Sequence, residues 1–430
     1  MSVMKAATGA AVAATLMFPV LVPGGYWWGV GGLALLGGLA ALGRLWPGWL
    51  NPRPLGRRGW RLVWVLLGVV STMAAMAWLH EELLGALPRL GAMLLALLGL
   101  VALHTWRPRL SALWAGLAMG GMLAGGWALW QRLQEGAGRA SGHDPLHAIL
   151  FGNVSLLTGG LCLAGVVWAL ARPRHTGWLL VLAAGAIGGL LASVLSGTRG
   201  GWVALPLILL LFHRGFLAWL PGWQQALAWL SVVTLAIGLY AVPQTGVQHR
   251  VGLAMDELSH YLEGESAPTA SVTARLEMWR GAWQLIQQRP LLGHGSEGYR
   301  QGMAELVEGA VVAPSVLPHG HAHNDLLDAW AKFGLPGLMA LLALYLLPVL
   351  LFRSGLRHAD TTHRTLAVAG LLLPVAFIDF GLTYSFFAYP VGGAVYSAWL
   401  VVLWTLYRHA PLVPEVDQAA KCQGSVMPSG

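Results

Sequence analysis

The sequence predicts an all-α integral membrane protein with about 12 transmembrane helices and one large folded loop. Of its 430 residues, 56% are hydrophobic and only 10% are charged, whereas soluble domains carry about 25% charged residues. The chain also divides into apolar runs of about the 20 residues that a helix needs to cross a bilayer. Its 22 tryptophans fit the same class, because indole side chains concentrate at membrane interfaces. The lipid bilayer is therefore the first predicted partner.

Twelve apolar runs are candidate spans, and the eighth of them is short. The first resembles a signal peptide but lacks a small-residue cleavage site, so we expect it to be retained as a span. The cores of the runs lie near 5–22, 26–43, 62–79, 88–105, 111–130, 147–170, 177–195, 201–213, 223–243, 326–352, 365–387 and 390–408.

The distribution of arginine predicts the orientation. With a cytoplasmic N-terminus, every short cytoplasmic connection carries at least one arginine, as the positive-inside rule requires. Both termini are then cytoplasmic. This gives four regions: nine helices within 1–243, a large outer-face loop at 244–325, three helices within 326–408, and a cytoplasmic tail at 409–430.

Charge and cysteine content exclude two other classes. The formal net charge is +8, but the basic residues lie in short clusters between apolar runs, so no nucleic-acid partner is expected. The two cysteines are Cys162, in an apolar run, and Cys422, in the polar tail. The outer-face loop has no cysteine and is not a disulfide-stapled domain.

Loops as long as 244–325 are usually functional or disordered, and this one is not low-complexity. It contains SVTARLEMWRGAWQLIQQRP, in which Leu276, Trp279, Trp283 and Ile286 fall on one helical stripe. The pattern predicts an amphipathic helix that ends at Pro290 and is suited to the membrane interface.

Three arginines near the outer face are candidate anion-binding residues. Arg199 lies in LSGTRGGW, on the side of the membrane that disfavours positive charge, between glycines that allow close approach of a ligand. Arg275 heads the apolar stripe of the amphipathic helix, where a neighbouring phosphate would explain its charge. Arg280 lies off that stripe and is a weaker candidate. The alternatives are a snorkelling Arg199 and a solvated ion pair of Arg275 with Glu277 or Asp256.

The segment HGHAHND places His319, His321 and His323 directly before an apolar run. On an extended strand the three would point the same way and, with Asp325, would make a metal site. Asn324 or Asp325 could instead cap the following helix, with the histidines merely in the turn before it. Capping does not account for three histidines, so we favour one histidine as a general base supported by its neighbours.

These motifs resemble those of a known family. HNDLLDAWAKFGLPG has His323-Asn324, a nine-residue spacer and then Gly334-Leu-Pro-Gly337, similar to the pattern of bacterial O-antigen ligases. RLEMWRGAWQLIQQRPLLGHGSEGY is similar to the arginine, tryptophan and "PL-G-G" signature of the wider superfamily. SGTRGGW resembles the arginine motif that precedes the large loop in that family. The resemblance covers most of residues 190–390.

The resemblance implies a membrane glycosyltransferase of GT-C-like architecture that is inverting and uses no metal or cofactor. It would transfer O-antigen polysaccharide from undecaprenyl pyrophosphate to the lipid A–core oligosaccharide, on the periplasmic face of a Gram-negative inner membrane. Arg199 and Arg275 would hold the pyrophosphate and His323 would be the essential histidine. Five further residues are predicted to contact substrate: Arg280, His321, His319, Asn324 and Trp279.

Two other functions remain open at this point. An O-antigen polymerase or a protein O-oligosaccharyltransferase of the same superfamily is the first. The histidine spacing favours the ligase over the polymerase, and the short tail disfavours the protein-glycosylating branch. A non-enzymatic transporter of lipid-linked glycan is the second. No internal repeat is evident, and the polar residues crowd the outer face rather than the membrane midplane, so a transporter is less favoured.

Overall fold

The computed structural model describes residues 2–43, 55–143, 146–172, 175–198, 200–203, 205–241 and 271–410, with a few single positions between 248 and 259. Within these residues the regular structure is entirely helical. The helices are α1 (Ser2–Met17), α2 (Gly25–Gly43), α3 (Gly56–Leu79), α4 (Leu83–Thr105), α5 (Leu110–Leu133), α6 (Ala148–Leu170), α7 (Thr176–Leu195), α8 (Leu205–Gly215), α9 (Gly222–Ala241), α10 (Ser271–Gln288), α11 (Gly295–Glu308), α12 (Asp325–Phe352), α13 (Thr361–Thr383) and α14 (Pro390–His409).

The predicted fold class is confirmed. Eleven helical segments of the described chain are long and apolar enough to cross a membrane, against about 12 predicted. The difference falls at the ninth predicted span, where α9 is helical but is not among those eleven. The eighth span is short, as expected: α8 has 11 residues and extends to a full span only with the short turns at either end of it.

Small residues bring the helices of the first half into close contact. A Cβ on Gly125 would meet the backbone of Gly188, and a Cβ on Gly189 would meet the backbone of Ser155 and Gly159. The backbones of α5, α6 and α7 therefore approach closely, which is a common way to pack helices when lipid supplies no hydrophobic driving force between them.

Helix α14 lies at the centre of the bundle. Its residues from Val391 to Tyr407 are buried, although a helix facing lipid would leave one side exposed. The indole of Trp399 donates to the carbonyl of Thr15 at 3.0 Å, which links the last span to the first. This buried helix supports the segment after α13, which contributes two tyrosines to the candidate site.

The segment between α10 and α12 has its own apolar core. Met278, Ala282 and Leu285 of α10 pack with Tyr299 and Met303 of α11. The predicted amphipathic helix is present as α10, but its buried face differs from the predicted stripe. Of the four predicted stripe residues only Ile286 is in the core, and Trp283 is 46% exposed. Trp283 packs edge-on against Trp330 at 5.9 Å, and Trp330 in turn packs against the core.

Glycine allows α12 to break where the loop after α10 packs on it. Gly334 has φ +63° and ψ −163° inside α12, a conformation that residues with a Cβ avoid. On either side of the break, the N–H of Leu335 donates to the carbonyl of Pro290 and the N–H of His294 donates to the carbonyl of Ala331, both at 3.0 Å. The loop after α10 is thus fixed to the helix that follows the histidine segment.

Replacing Gly334 by alanine is expected to destabilise the protein. A Cβ there would strike the carbonyl group of Leu291 as well as strain the backbone, at a cost of about 1–3 kcal/mol for the strain alone. The midpoint of thermal unfolding in detergent should fall by about 2 °C or more. Gly298→Ala in α11 is the matched control, because its Cβ would have only an ordinary contact at 3.4 Å. An unchanged midpoint for Gly334→Ala would contradict the strained break.

Four connections meet at one end of the bundle, which we call the histidine end because it carries His319, His321 and His323. The carboxylate of Glu82, between α3 and α4, accepts from the N–H groups of Ser296 and Glu297 at 2.8 and 2.7 Å and so caps α11. His147, before α6, bonds the hydroxyl of Tyr384, after α13. The alternation of spans that the sequence predicts places these connections on the same side.

Candidate active site

The three predicted histidines form one cluster before α12. The ring centroid of His323 lies 4.4 Å from that of His321 and 4.9 Å from that of His319. His321 and His323 are each 8% exposed. His323 adopts φ +51°, which is uncommon for a residue with a side chain and often marks functional positions. The backbone therefore turns at His323 and does not run on as an extended strand.

Asn324 caps α12, as the capping interpretation predicts. Its Oδ1 accepts from the N–H groups of Leu326 and Leu327 at 3.0 and 3.1 Å. The carboxylate of Asp325 accepts instead from the Tyr345 hydroxyl at 3.2 Å and the Phe387 N–H at 3.1 Å. Capping therefore explains Asn324 and leaves the three histidines to be explained. A contact of Asn324 with substrate stays a prediction.

A buried ion pair on α12 holds the histidine segment in place. Lys332 Nζ lies 2.9 Å from Asp328 Oδ1, and the lysine is 3% exposed. Lys332 also donates to the carbonyl of Gly320 at 2.8 Å, while Asp328 accepts from the N–H of Ala322 at 2.9 Å. Because these two bonds reach the residues on either side of His321, the pair fixes the backbone that carries it.

The predicted arginines are placed differently from one another. Arg199 lies outside the described residues. Arg275, on α10, is partly buried and close enough to His319 and His323 to lower the pKa of both. The side chain of Arg280 is 56% exposed and pairs with Glu277 at 3.9 Å. Arg280 therefore lies at the protein surface. Trp279 is partly buried, and its indole N–H is buried with no hydrogen-bond partner in the described part of the chain.

The histidines open onto a cleft of about 710 Å³ at the histidine end. Its walls come from five parts of the chain. Two of these parts lie in the first half of the sequence and three in the second half. The charged and polar residues of the lining are Glu82, Arg89, His147, Ser296, Glu297, Arg300, His319, His321, His323, Lys332, Tyr384 and Tyr389.

Sequence reasoning missed several of these residues. Arg89 stands near the outer end of a predicted span, where the positive-inside rule disfavours it. The argument that singled out Arg199 applies to it equally and could have found it. No comparable signal marks His147, Tyr384 or Tyr389, because nothing local to each residue indicates the cleft that they share.

The buried histidines are uncharged at neutral pH. Burial, followed by the nearby His321, His319 and Arg275, lowers the pKa of His323 to about 2. Burial also lowers the pKa of His321 to about 4, against the attraction of the Asp328 carboxylate. The pKa of His319 is lowered by burial and by Arg275. A neutral imidazole can accept a proton, and a bound anion would raise these pKa values.

A hydrogen-bonded chain of two histidines and two tyrosines lines the cleft. His147 Nε2 lies 2.6 Å from the Tyr384 hydroxyl, which donates to the Tyr389 hydroxyl at 2.8 Å. The Tyr389 hydroxyl also lies 3.2 Å from His321 Nε2. Burial and the bond to Tyr389 raise the pKa of Tyr384 above its ordinary value, so this phenol stays protonated at neutral pH.

An apolar groove adjoins the cleft between α3, α4, α12 and α14. It is lined by side chains such as Met73, Leu90 and Phe333, and it shares Arg89 and Ala388 with the cleft. The groove is small, about 60 Å³, and Arg89 stands where it meets the polar cleft.

A second histidine cluster lies at the opposite end, between α12 and α13. His358, Asp360 and His363 are the group in the described chain whose ligand atoms lie close enough to share a metal ion. Asp360 already caps α13 by accepting from the N–H of His363 at 2.8 Å, and its own N–H donates to His358 Nδ1 at 3.1 Å. Helix capping accounts for this cluster.

The fold and the cleft define a class: a many-span helical membrane protein with a histidine-lined site at one end. Residues 184–342 match the family model described as O-antigen ligase. The match contains Arg199, Arg275 and His323, and it confirms the resemblance seen in the motifs. An uncharacterized protein of Haemophilus influenzae is 31% identical over 213 residues, which are 48% of this chain and 52% of that protein. The chain thus spans about half the length of that relative.

Proposed function

We propose that this protein is an inverting glycosyltransferase that completes lipopolysaccharide. It transfers O-antigen polysaccharide from undecaprenyl pyrophosphate to the lipid A–core oligosaccharide on the periplasmic face of the inner membrane, with both termini cytoplasmic. The observation that carries the proposal is the cluster of neutral histidines beside Arg275 in a cleft that also holds Arg89. The match of residues 184–342 to the O-antigen ligase family supports the reaction class.

The donor binds by its charge and by its lipid chain. Arg275 and Arg199 hold the pyrophosphate, because the planar guanidinium pairs well with phosphate oxygens. The apolar groove contacts only the part of the polyprenyl chain next to the pyrophosphate, and Arg89 contacts the phosphate at the mouth of that groove. Arginines that neutralise the charge developing on the leaving group make a divalent metal unnecessary. Transfer in excess EDTA is therefore expected to continue.

His323 acts on the acceptor. Its Nδ1 is buried and has no hydrogen-bond partner among the residues that the structure describes, which costs about 1–3 kcal/mol unless a ligand supplies one. In the proposed reaction the acceptor hydroxyl gives its proton to this histidine and its oxygen attacks the anomeric carbon. The bond from that carbon to the pyrophosphate oxygen breaks, undecaprenyl pyrophosphate leaves, and the anomeric configuration inverts. The anionic donor raises the pKa of His323 and so improves it as a base.

Arg89→Gln is expected to weaken donor binding. Glutamine keeps much of the length of the side chain but removes the charge at the junction of cleft and groove. A hydrogen bond to a charged group contributes about 1.5–3 kcal/mol, so the KM for the lipid-linked donor should rise by about tenfold or more. The KM for the acceptor should stay close to that of the parent. Arg61→Gln, an exposed arginine near the start of α3, is the control. An unchanged donor KM in Arg89→Gln would remove Arg89 from the donor site.

Deletion of the gene in its own host tests the proposed function. Loss of the long-chain lipopolysaccharide ladder, with lipid-linked polymer still made, is the expected result. Loss of the polymer itself would indicate a polymerase, and an intact ladder with unglycosylated proteins would indicate a protein-glycosylating enzyme. Either outcome would replace the ligase reaction with another reaction of the superfamily.

A further inference from the structure

Backbone contacts determine which groups donate and which accept in the hydrogen-bonded chain of two histidines and two tyrosines. The N–H of His323 points to His321 Nδ1 at 3.4 Å, and the N–H of Ile149 points to His147 Nδ1 at 3.3 Å. A backbone N–H can only donate, so both Nδ1 atoms are acceptors. The neutral form of each imidazole then carries its proton on Nε2, and both histidines donate from that atom.

The donors and acceptors of this hydrogen-bonded chain leave one proton, that of the Tyr389 hydroxyl, without an acceptor among the described residues. His147 Nε2–H donates to Tyr384, and the Tyr384 hydroxyl donates to Tyr389. His321 Nε2–H also donates to Tyr389. The Tyr389 oxygen thus accepts two hydrogen bonds, and its own O–H has no acceptor among the residues that the structure describes. Because Tyr389 lines the cleft, this O–H is available to a ligand there.

We propose that the Tyr389 hydroxyl donates a hydrogen bond to the pyrophosphate oxygen that departs from the anomeric carbon. This rests on the proposed function, and it adds a substrate contact that no motif of the sequence indicates. Two considerations favour the donor's phosphate over the acceptor sugar. A hydroxyl that accepts two hydrogen bonds is polarised into a stronger donor, which suits an anionic oxygen, and Arg89 lines the same cleft.

Tyr384 and His147 are positioning residues in this proposal. Tyr384 is 3% exposed, and its ring stacks on that of Tyr389 at 5.7 Å. His147 is exposed, at the far end of the hydrogen-bonded chain from His321, and it orients Tyr384 through their 2.6 Å hydrogen bond. Both act on substrate only through Tyr389, so their loss should have a smaller effect than loss of the Tyr389 hydroxyl.

The test compares tyrosine-to-phenylalanine variants of the purified full-length protein with lipid-linked O-antigen and lipid A–core as substrates. Tyr389→Phe keeps the ring and removes the donor, so kcat should fall about 100-fold, with the acceptor KM unchanged. Tyr384→Phe should lower kcat by several-fold only. His147→Ala should resemble Tyr384→Phe, and His147→Gln should restore part of the loss because its amide can donate. Tyr396→Phe removes a hydroxyl that bonds Leu344 inside the bundle and should retain the parent rate.

Three results would overturn the inference. A parent-like kcat in Tyr389→Phe would remove the hydroxyl from the reaction. A rise in acceptor KM alone would move the contact from the phosphate to the acceptor. A loss accompanied by a lower unfolding midpoint, shared by Tyr396→Phe, would make the role structural. If the parent protein transfers no O-antigen, the proposed function fails; if the parent is active and Tyr389→Phe equals it, only this inference fails.

Discussion

His323→Asn is expected to reduce transfer by at least about 100-fold, the order of effect of a general base. Asparagine is the informative replacement because it tolerates the positive φ of this position and cannot take the acceptor's proton at neutral pH. Since His323 is 8% exposed and packs edge-on against Tyr384 at 4.9 Å, alanine would also leave a gap. Binding of the lipid-linked donor should survive the change, because the arginines proposed to hold the pyrophosphate remain.

The pH dependence gives a second readout of the same residue. The pKa of His323 in the free protein is lowered to about 2, so the base is already deprotonated throughout the neutral range. The value of kcat/KM, which reports the free enzyme, should therefore show no acid limb near the ordinary histidine value of 6.5. The acid limb of kcat should lie at higher pH than that of kcat/KM, because the bound pyrophosphate is expected to raise the pKa of His323.

His143→Asn is the matched control, since the ring of His143 packs at a tilt against Trp127 at 4.6 Å and is not part of the cleft lining. A His323→Asn protein that transfers sugar at close to the parent rate would contradict the base assignment. An acid limb of kcat/KM near 6.5 that disappears in His323→Asn would contradict the neutral, buried state of this histidine.

Arg275→Lys is expected to be nearly as damaging as Arg275→Ala. Lysine keeps the charge but loses the planar fork that pairs with two phosphate oxygens. Loss of one donor to a developing negative charge typically costs about 100-fold or more in rate. Donor binding should weaken as well, in contrast to His323→Asn. This difference separates a residue that holds the pyrophosphate from one that acts on the acceptor.

The control for Arg275 is Arg289→Lys, a change of the same chemistry at an exposed position just after α10. Measuring kcat and the donor KM of both variants side by side, under the same conditions, would compare their effects. If Arg275→Lys retained more than about half of the parent rate, a simple ion-pair role for Arg275 would be favoured over contact with the pyrophosphate.

The parts of the fold that depend on local sequence were predictable. Apolar runs of membrane-spanning length gave the helical class and most spans, and the pattern of 271–288 gave α10. Periodicity predicted the apolar stripe of α10, but it does not specify which face packs against the rest of the protein. Only Ile286 of the stripe lies in the core of this segment, and Trp283 packs against Trp330.

The candidate site was only partly predictable for a related reason. His319, His321 and His323 are neighbours in the chain, so their clustering follows from the sequence. The remainder of the cleft combines α4 and the residue just before it, the start of α6 with the residue before it, α11, Lys332 of α12 and the segment after α13. The bond between His147 and Tyr384 joins residues 237 positions apart. Such contacts depend on how the helices pack, which no local pattern specifies.

The most direct test of the central claim is transfer by the purified protein in a bilayer. Vesicles containing the protein, lipid-linked O-antigen and lipid A–core would be sampled over time and separated on a gel. The account predicts lipid A–core carrying the polysaccharide, with release of undecaprenyl pyrophosphate and no requirement for a divalent metal. Formation of longer lipid-linked polymer without any change in lipid A–core would contradict it.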